Sequence, residues 1–177
     1  MKNKIQLNKL IIFLLITGII SCISNICIAK SNCLEKKVTA KFDFETYKNP
    51  CLNKYLDAAW NNYFCKEFPQ ELINKFKLSK KNIGIIVTDL NNDNKFDVIA
   101  TTEGIPYYCG KMGEERPVVV LLFNCITNNY QTIFVETHQI DNSPVIITNT
   151  ITNCLKDIII NKKLRLKFDG EKYKICN

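Results

Sequence analysis

From residue 83 to its end, the chain consists of short apolar segments rich in Val, Ile and Thr, separated by polar turns. Segments of this composition, bounded by Asn, Asp, Gly or Pro, are typical of β-strands. Short connections such as Asn128-Asn129 and Asp169-Gly170 favour antiparallel pairing of the strands that they join. The predicted strands cover residues 83–88, 96–101, 118–125, 130–137, 145–151, 155–160, 164–168 and 172–176. We therefore expect an antiparallel sheet of about six to eight strands.

Two helices are predicted before the first of these strands. Asn49 is a suitable N-cap and Pro50 suits the first helical position, and apolar residues then recur at three- and four-residue steps from Leu52 to Tyr63. Pro69 begins a second, shorter helix. The predicted fold class is α+β, with two N-terminal helices packed on the antiparallel sheet.

The N-terminus has the pattern of a secretion signal. Three lysines, at positions 2, 4 and 9, precede an apolar stretch from Leu10 to Ile20 that is too short to span a bilayer. The sequence offers two candidate cleavage sites. Ile19-Ile20-Ser21-Cys22 resembles a bacterial lipobox, in which Cys22 is lipidated and becomes the mature N-terminus, whereas cleavage after Ala29 releases an unlipidated chain.

The predicted domain organisation is simple. Residues 1–22, or 1–29 with the later cleavage site, form the signal; residues 23–41 form a polar tether; and residues 42–177 form one α+β domain, since this length suits a single core. Lipidation of Cys22 leaves eight of the nine cysteines, an even number that suits disulfide formation in an oxidising compartment. The candidate pairs are Cys51 with Cys65, Cys109 with Cys125, and Cys154 with Cys176.

Charge argues against a nucleic-acid partner. The formal charge of +7 falls to +4 once the three signal lysines are removed, and charges of both signs are interspersed with no arginine-rich stripe. The expected partner is an unidentified protein, and the expected contact with a membrane is only through a lipid anchor. We expect a bacterial exported protein, either a lipoprotein of the periplasm or membrane surface, or a secreted protein.

Residues 89–97 have the oxygen spacing of a calcium-binding loop. Ca²⁺ prefers six to eight oxygen ligands, and carboxylate, amide and main-chain oxygens at alternate positions of a loop can surround it. The candidate ligands are the side chains of Asp89, Asn91, Asp93 and Asp97 and the main-chain carbonyl of Lys95. A solvated turn rich in Asn and Asp is the alternative interpretation.

The apolar segments on both sides of this loop predict a connection between two strands. An EF-hand is excluded, because its positions 6 and 12, a glycine and a glutamate, are occupied here by Asn94 and Ala100. The segment resembles the calcium hairpin of FG-GAP-type repeats, whose pattern is D-x-[DN]-x-D-G-x-x-D followed by aliphatic residues. Asn94 departs from that pattern, although asparagine tolerates a left-handed backbone. No second copy is present, so the resemblance implies one structural calcium ion and not a propeller.

The segment 103–117 is long for a loop within a small domain, and such loops are often functional. Tyr107 and Tyr108 within it are candidate anchors for a protein partner, because tyrosine offers a large contact area at low entropic cost. The alternative is that they cover the edge of the core.

The sequence contains no recognisable catalytic constellation. His138 is the only histidine, and no G-x-S-x-G or C-x-x-C motif accompanies it. The first hypothesis is therefore an exported, non-enzymatic binding or interaction module with one structural calcium-type loop. The alternatives are a secreted effector or inhibitor that docks through residues 103–117 and a metal-dependent hydrolase of unrecognised type.

Overall fold

The protein is a two-sheet structure. The computed structural model describes residues 37–67, 70–103, 115–140 and 143–176, and the following statements concern these residues. The strands are β1 (Val38–Ala40), β2 (Ile83–Thr88), β3 (Asp97–Thr102), β4 (Glu115–Asn124), β5 (Asn129–Gln139), β6 (Val145–Thr152), β7 (Leu155–Ile160), β8 (Leu164–Phe168) and β9 (Tyr173–Cys176). One sheet has the order β2-β3-β4-β5 and the other β1-β6-β7-β8-β9, with antiparallel pairing throughout.

The predicted α+β class, with two N-terminal helices packed on one sheet, is wrong. The described part of the chain is mostly β, with two antiparallel sheets and one helix of 15 residues. This helix, α1, comprises an α-helical segment (Asn53–Ala59), a π-helical turn (Trp60–Phe64) and a last turn (Cys65–Glu67). The segment that follows Pro69 is only the seven-residue α2 (Gln70–Phe76).

The start of the helical region agrees with the sequence. The side chain of Asn49 accepts a hydrogen bond from the main-chain N–H of Cys51, and Pro50 begins the short 3-10 turn Pro50–Leu52 that leads into α1. The predicted N-cap is therefore confirmed. A π-helical turn is uncommon, and in this helix it begins at Trp60.

The sheets and α1 form three layers around two apolar cores. On β3, Ile99 belongs to the core between the two sheets, whereas Val98 and Ala100 belong to the core beneath α1. This alternation is expected because successive side chains of a strand point to opposite faces. The four-stranded sheet is thus the middle layer, with the five-stranded sheet on one face and α1 on the other.

The N-terminal edge of the described chain also takes part in the sheets. Val38–Ala40, at the end of the segment predicted as a tether, pairs with β6 as the edge strand β1. Asp43 then makes a reciprocal pair of main-chain hydrogen bonds with Ile85, which covers part of the outer edge of β2. The predicted signal and Cys22 lie outside the described residues. Within residues 37–67, 70–103, 115–140 and 143–176, no helix has both the length and the apolar character needed to cross a bilayer.

Two of the three candidate cysteine pairs are incompatible with the fold. Cys51 precedes α1 and Cys65 lies in its last turn, so about 20 Å of helix separates them. Cys176 on β9 pairs with Arg165 on β8, which in turn pairs with Ile159 on β7. Cys154 comes five residues before Ile159 in the chain, so the two cysteines lie about five residues apart along the strand direction. A disulfide requires Cα atoms within about 7 Å of each other. The third pair includes Cys109, which lies outside the described residues.

Non-reducing peptide mapping of the natively folded protein tests this geometry. We expect no cross-linked peptide joining Cys51 to Cys65 and none joining Cys154 to Cys176, because either bond requires the helix or the sheet to unfold. The fully unfolded chain, oxidised in denaturant, is the control in which such peptides can form. Recovery of either cross-link within one chain of the natively folded protein contradicts the fold.

Candidate cation-binding loop

The Asp89–Asp97 segment forms the tip of the β2–β3 hairpin. The last paired residues are Thr88 and Asp97, and the loop between them has no helical flank. The predicted strand-to-strand connection is therefore confirmed. Asn92 and Asn94 adopt left-handed backbone conformations, with φ of 60° and 62°. The left-handed conformation of Asn94 confirms the expectation that asparagine is tolerated where the calcium-hairpin pattern has glycine.

Side-chain oxygens of the loop turn back onto its own main chain. The two carboxylate oxygens of Asp89 accept hydrogen bonds from the N–H groups of Asp93 (3.3 Å) and Asn94 (3.0 Å). Asn91 Oδ1 accepts from Asp93 N–H at 3.2 Å, and Asp93 Oδ1 accepts from Lys95 N–H at 2.7 Å. These hydrogen bonds order the loop.

Asp97 has a different environment from the other aspartates. Its side chain is buried, with Oδ2 accepting a hydrogen bond from Leu90 N–H at 2.8 Å and Oδ1 accepting one from Phe123 N–H at 2.9 Å. Burial raises the pKa of the Asp97 carboxyl to about 6; the two N–H donors oppose this rise, and the carboxylates of Asp93 and Asp89 add to it. Asp97 therefore links the start of the loop to the end of β4.

Leu90 and Lys156 connect the same loop to the second sheet. The Leu90 side chain is fully buried in the core between the sheets, and its carbonyl accepts a hydrogen bond from Lys156 N–H on β7 at 2.9 Å. Lys156 Nζ donates to the carbonyl of Asp89 at 2.7 Å. The Tyr173 hydroxyl in turn donates to the Lys156 carbonyl at 2.6 Å, and burial raises the pKa of Tyr173, which keeps it protonated.

Sequence reasoning missed Lys156, Tyr173 and Phe123 as neighbours of the loop. They follow Asp89 by between 34 and 84 positions in the printed sequence. Nothing in the local pattern identifies these contacts, because they depend on how the two sheets pack.

The exposed tip has further contacts with the central sheet and α1. The Tyr130 hydroxyl donates to the carbonyl of Phe96 at 2.9 Å, and burial raises the pKa of Tyr130 to about 12. The Phe96 ring, which is about half exposed, lies edge-on to the ring of Tyr55 on α1. Cys125 Sγ lies 3.7 Å from Asp93 Oδ2. These contacts hold the base of the tip while Asp93 itself remains exposed.

The acidic side chains do not converge on one point. Among the described residues, no group of three or more His, Cys, Asp and Glu side chains is arranged to hold a metal ion. The predicted ligands Asp89, Asn91, Asp93 and Lys95 all lie in one ordered loop, but the Asp97 oxygens are directed to two main-chain N–H groups.

The remaining candidate residues are distributed elsewhere. Tyr107 and Tyr108 lie outside the described residues, and the end of the predicted 103–117 loop belongs to β4, which begins at Glu115. His138 on β5 has its Nε2 atom 3.2 Å from a carboxylate oxygen of Glu136, two residues away on the same strand face.

Comparison of the chain with models of protein families, with curated proteins and with solved structures found no match.

Replacing Asp97 by Ala tests its role as a main-chain acceptor. The variant leaves the buried N–H group of Leu90 and the partly buried N–H group of Phe123 without this acceptor, and each such loss costs about 1–3 kcal/mol. We expect the free energy of unfolding, measured by urea denaturation without calcium at about pH 4, where the Asp97 contribution is largest, to fall by about 2–6 kcal/mol. The matched control is Asp93→Ala at the exposed position, expected to cost less than about 1 kcal/mol. Equal losses in the two variants contradict this assignment.

The raised pKa of Asp97 also predicts a pH dependence of stability. The folded-state pKa of about 6 lies above the ordinary value of 3.8, so the folded protein holds this proton more tightly than the unfolded chain does. The Asp97 contribution to stability is therefore largest below about pH 4 and is lost as the pH rises through about 6, by roughly 3 kcal/mol. We expect unfolding free energies, measured with a chelator present, to show this loss in wild type and not in Asp97→Asn. A difference between the two proteins that stays constant from pH 4 to 7.5 contradicts the shift.

Proposed function

We propose that the protein is an exported, non-enzymatic binding or interaction module in which the Asp89–Asp97 loop binds one structural calcium-type cation. The observation that carries this proposal is the position of the loop at the junction of the two sheets. Leu90 is buried between the sheets, and the main chain of Asp89 and Leu90 is hydrogen-bonded to Lys156 on β7. An ion at this place stabilises the packing of the whole domain.

The chemistry of the loop suits a hard cation. Asp89, Asn91 and Asp93 supply carboxylate and amide oxygens, and Lys95 supplies a main-chain carbonyl. Each carboxylate oxygen that accepts an N–H has a second lone pair, so the existing hydrogen bonds do not exhaust the donor capacity of the set. The rise in the Asp97 pKa that Asp93 and Asp89 cause reflects mutual repulsion of the carboxylates, which a cation relieves.

Binding requires a small closure of the loop tip. The three aspartates are not gathered around one point, so Asp93 must move toward Asp89 for both to contact one ion. Residues 92–95 are exposed, so they can move while Phe96 keeps its contacts with Tyr55 and Tyr130. The part of the loop that is buried, Leu90 and Asp97, stays fixed. The proposed site is accordingly of modest affinity and suited to a compartment with abundant calcium.

The proposed location follows from the N-terminal sequence. The basic and apolar segments of residues 1–22 support export from a bacterial cell. A lipid on Cys22 would attach the protein to a membrane, and cleavage after Ala29 would release it. Both routes lead to compartments outside the cytoplasm, where millimolar calcium can fill a weak site.

Thermal unfolding with and without calcium tests the proposed ion. At a free calcium concentration one hundred times Kd, binding to the folded state alone stabilises it by about 2.7 kcal/mol. We expect a rise in Tm of about 5–10 °C for wild type, since each kcal/mol shifts Tm by a few degrees in a domain of this size. Asp93→Ala should abolish the rise while changing the calcium-free Tm little.

Asn92→Gly is the matched control for that experiment. It changes a residue of the same loop outside the proposed ligand set and preserves the left-handed backbone, which glycine adopts without strain. The control should retain the calcium-dependent rise. An unchanged wild-type Tm at about 10 mM calcium, roughly ten times the weakest Kd of extracellular calcium modules, overturns the proposed ion.

A further inference from the structure

An open cleft lies beside α1, away from the loop. It has a volume of about 570 Å³ and is open to solvent on one side. Its walls come from the 3-10 turn Thr46–Lys48, from α1, and from the segment around the 3-10 turn Lys80–Asn82. The apolar part of the lining consists of Tyr47, Leu56, Trp60 and Leu78. Leu56 is fully buried and forms the floor, whereas the other three side chains are partly exposed.

The helix is irregular at this cleft. Trp60 begins the π-helical turn of α1, and π-helical turns within helices occur frequently at functional sites. Trp60 is also the only tryptophan of the chain. A partly exposed indole on a concave surface is the kind of side chain that contributes strongly to binding of protein partners.

The polar lining has an excess of positive charge. Lys80 Nζ is paired with the Asp57 carboxylate inside the cleft. Lys81 Nζ lies 5.7 Å from the centroid of the Tyr47 ring and has no acidic partner among the described residues. Lys48 flanks the same ring at 5.7 Å, but its charge is paired with the Glu45 carboxylate at 2.6 Å. One ammonium group therefore stands at the rim of an aromatic surface with no carboxylate to neutralise it.

We propose that this cleft binds an acidic peptide segment of a partner protein. An apolar side chain of the segment packs on Trp60 and Tyr47, and its carboxylates pair with Lys81 and, in competition with Asp57, with Lys80. This proposal rests on the proposed function as a binding module and names the class of partner. The open shape favours an extended segment, because small-molecule sites bury most of the ligand surface. Charge complementarity agrees, since the chain keeps a formal charge of +4 after removal of the three signal lysines from the total of +7.

The fluorescence of Trp60 reports on the cleft directly, because no other tryptophan contributes. The full exported protein is titrated with an acetylated and amidated peptide Glu-Glu-Phe-Leu-Glu-Glu, and with Lys-Lys-Phe-Leu-Lys-Lys as the opposite-charge control. We expect a saturable change in emission with the acidic peptide and about tenfold or more weaker binding of the basic one. Equal responses to the two peptides, or no saturable response to the acidic peptide, overturn the proposal.

Three variants sharpen the test. Lys81→Glu should weaken binding of the acidic peptide by about tenfold, and Asp57→Asn should strengthen it several-fold because Lys80 is released from its partner. Lys163→Glu makes the same charge change in the exposed β7–β8 turn and should leave the affinity unchanged. A loss in Lys163→Glu as large as in Lys81→Glu shows a general charge effect and contradicts a cleft site.

The calcium-dependent Tm is measured on the same samples. If the acidic peptide does not change Trp60 emission while calcium still raises Tm, the proposed peptide site is rejected and the proposed ion is not. A missing calcium shift with the peptide response intact rejects the structural ion alone, because the cleft is lined by residues 47–81 and shares none with the loop.

Discussion

The buried carboxylate of Asp97 is the interaction on which the arrangement of the sheets depends. It accepts main-chain hydrogen bonds from Leu90 and Phe123, and so fixes the start of the β2–β3 loop against the end of β4. With its N–H held in this way, Leu90 directs its side chain into the core and its carbonyl toward Lys156 on the second sheet. Asp97 thus holds Leu90 in the place where it contacts both sheets, although burial of the carboxyl raises its pKa to about 6.

The strands were predictable, and their division into two sheets was not. β-branched composition located the strands from residue 83 onward, because that preference is local. The partner of each strand is set by long-range packing. The chain passes from the first sheet to the second between β5 and β6, and no local sequence pattern marks that point. The continuous apolar run Val118–Leu121 was an available signal, since a strand buried on both faces requires a layer on each side.

The candidate site was predictable only in its local geometry. The strand flanks and the left-handed Asn94 followed from the spacing and from the tolerance of asparagine for that conformation. The spacing could not predict that Asp97 is buried and Asp93 exposed, because both are aspartates at similar positions of the pattern. The cleft at Trp60 was missed because helical periodicity alone explained its apolar residues, and only the fold brings Lys80 and Lys81 beside them.

The central claim is that a cation at an exposed loop tip stabilises the junction of two sheets. Amide hydrogen exchange measured with and without calcium tests it most directly, because exchange resolves local from global stabilisation. The account predicts that the amides of Leu90 and Phe123, which donate to Asp97, exchange about one hundredfold more slowly in saturating calcium. Slowing confined to Asp93, Asn94 and Lys95, or no slowing at any of these amides, would contradict it.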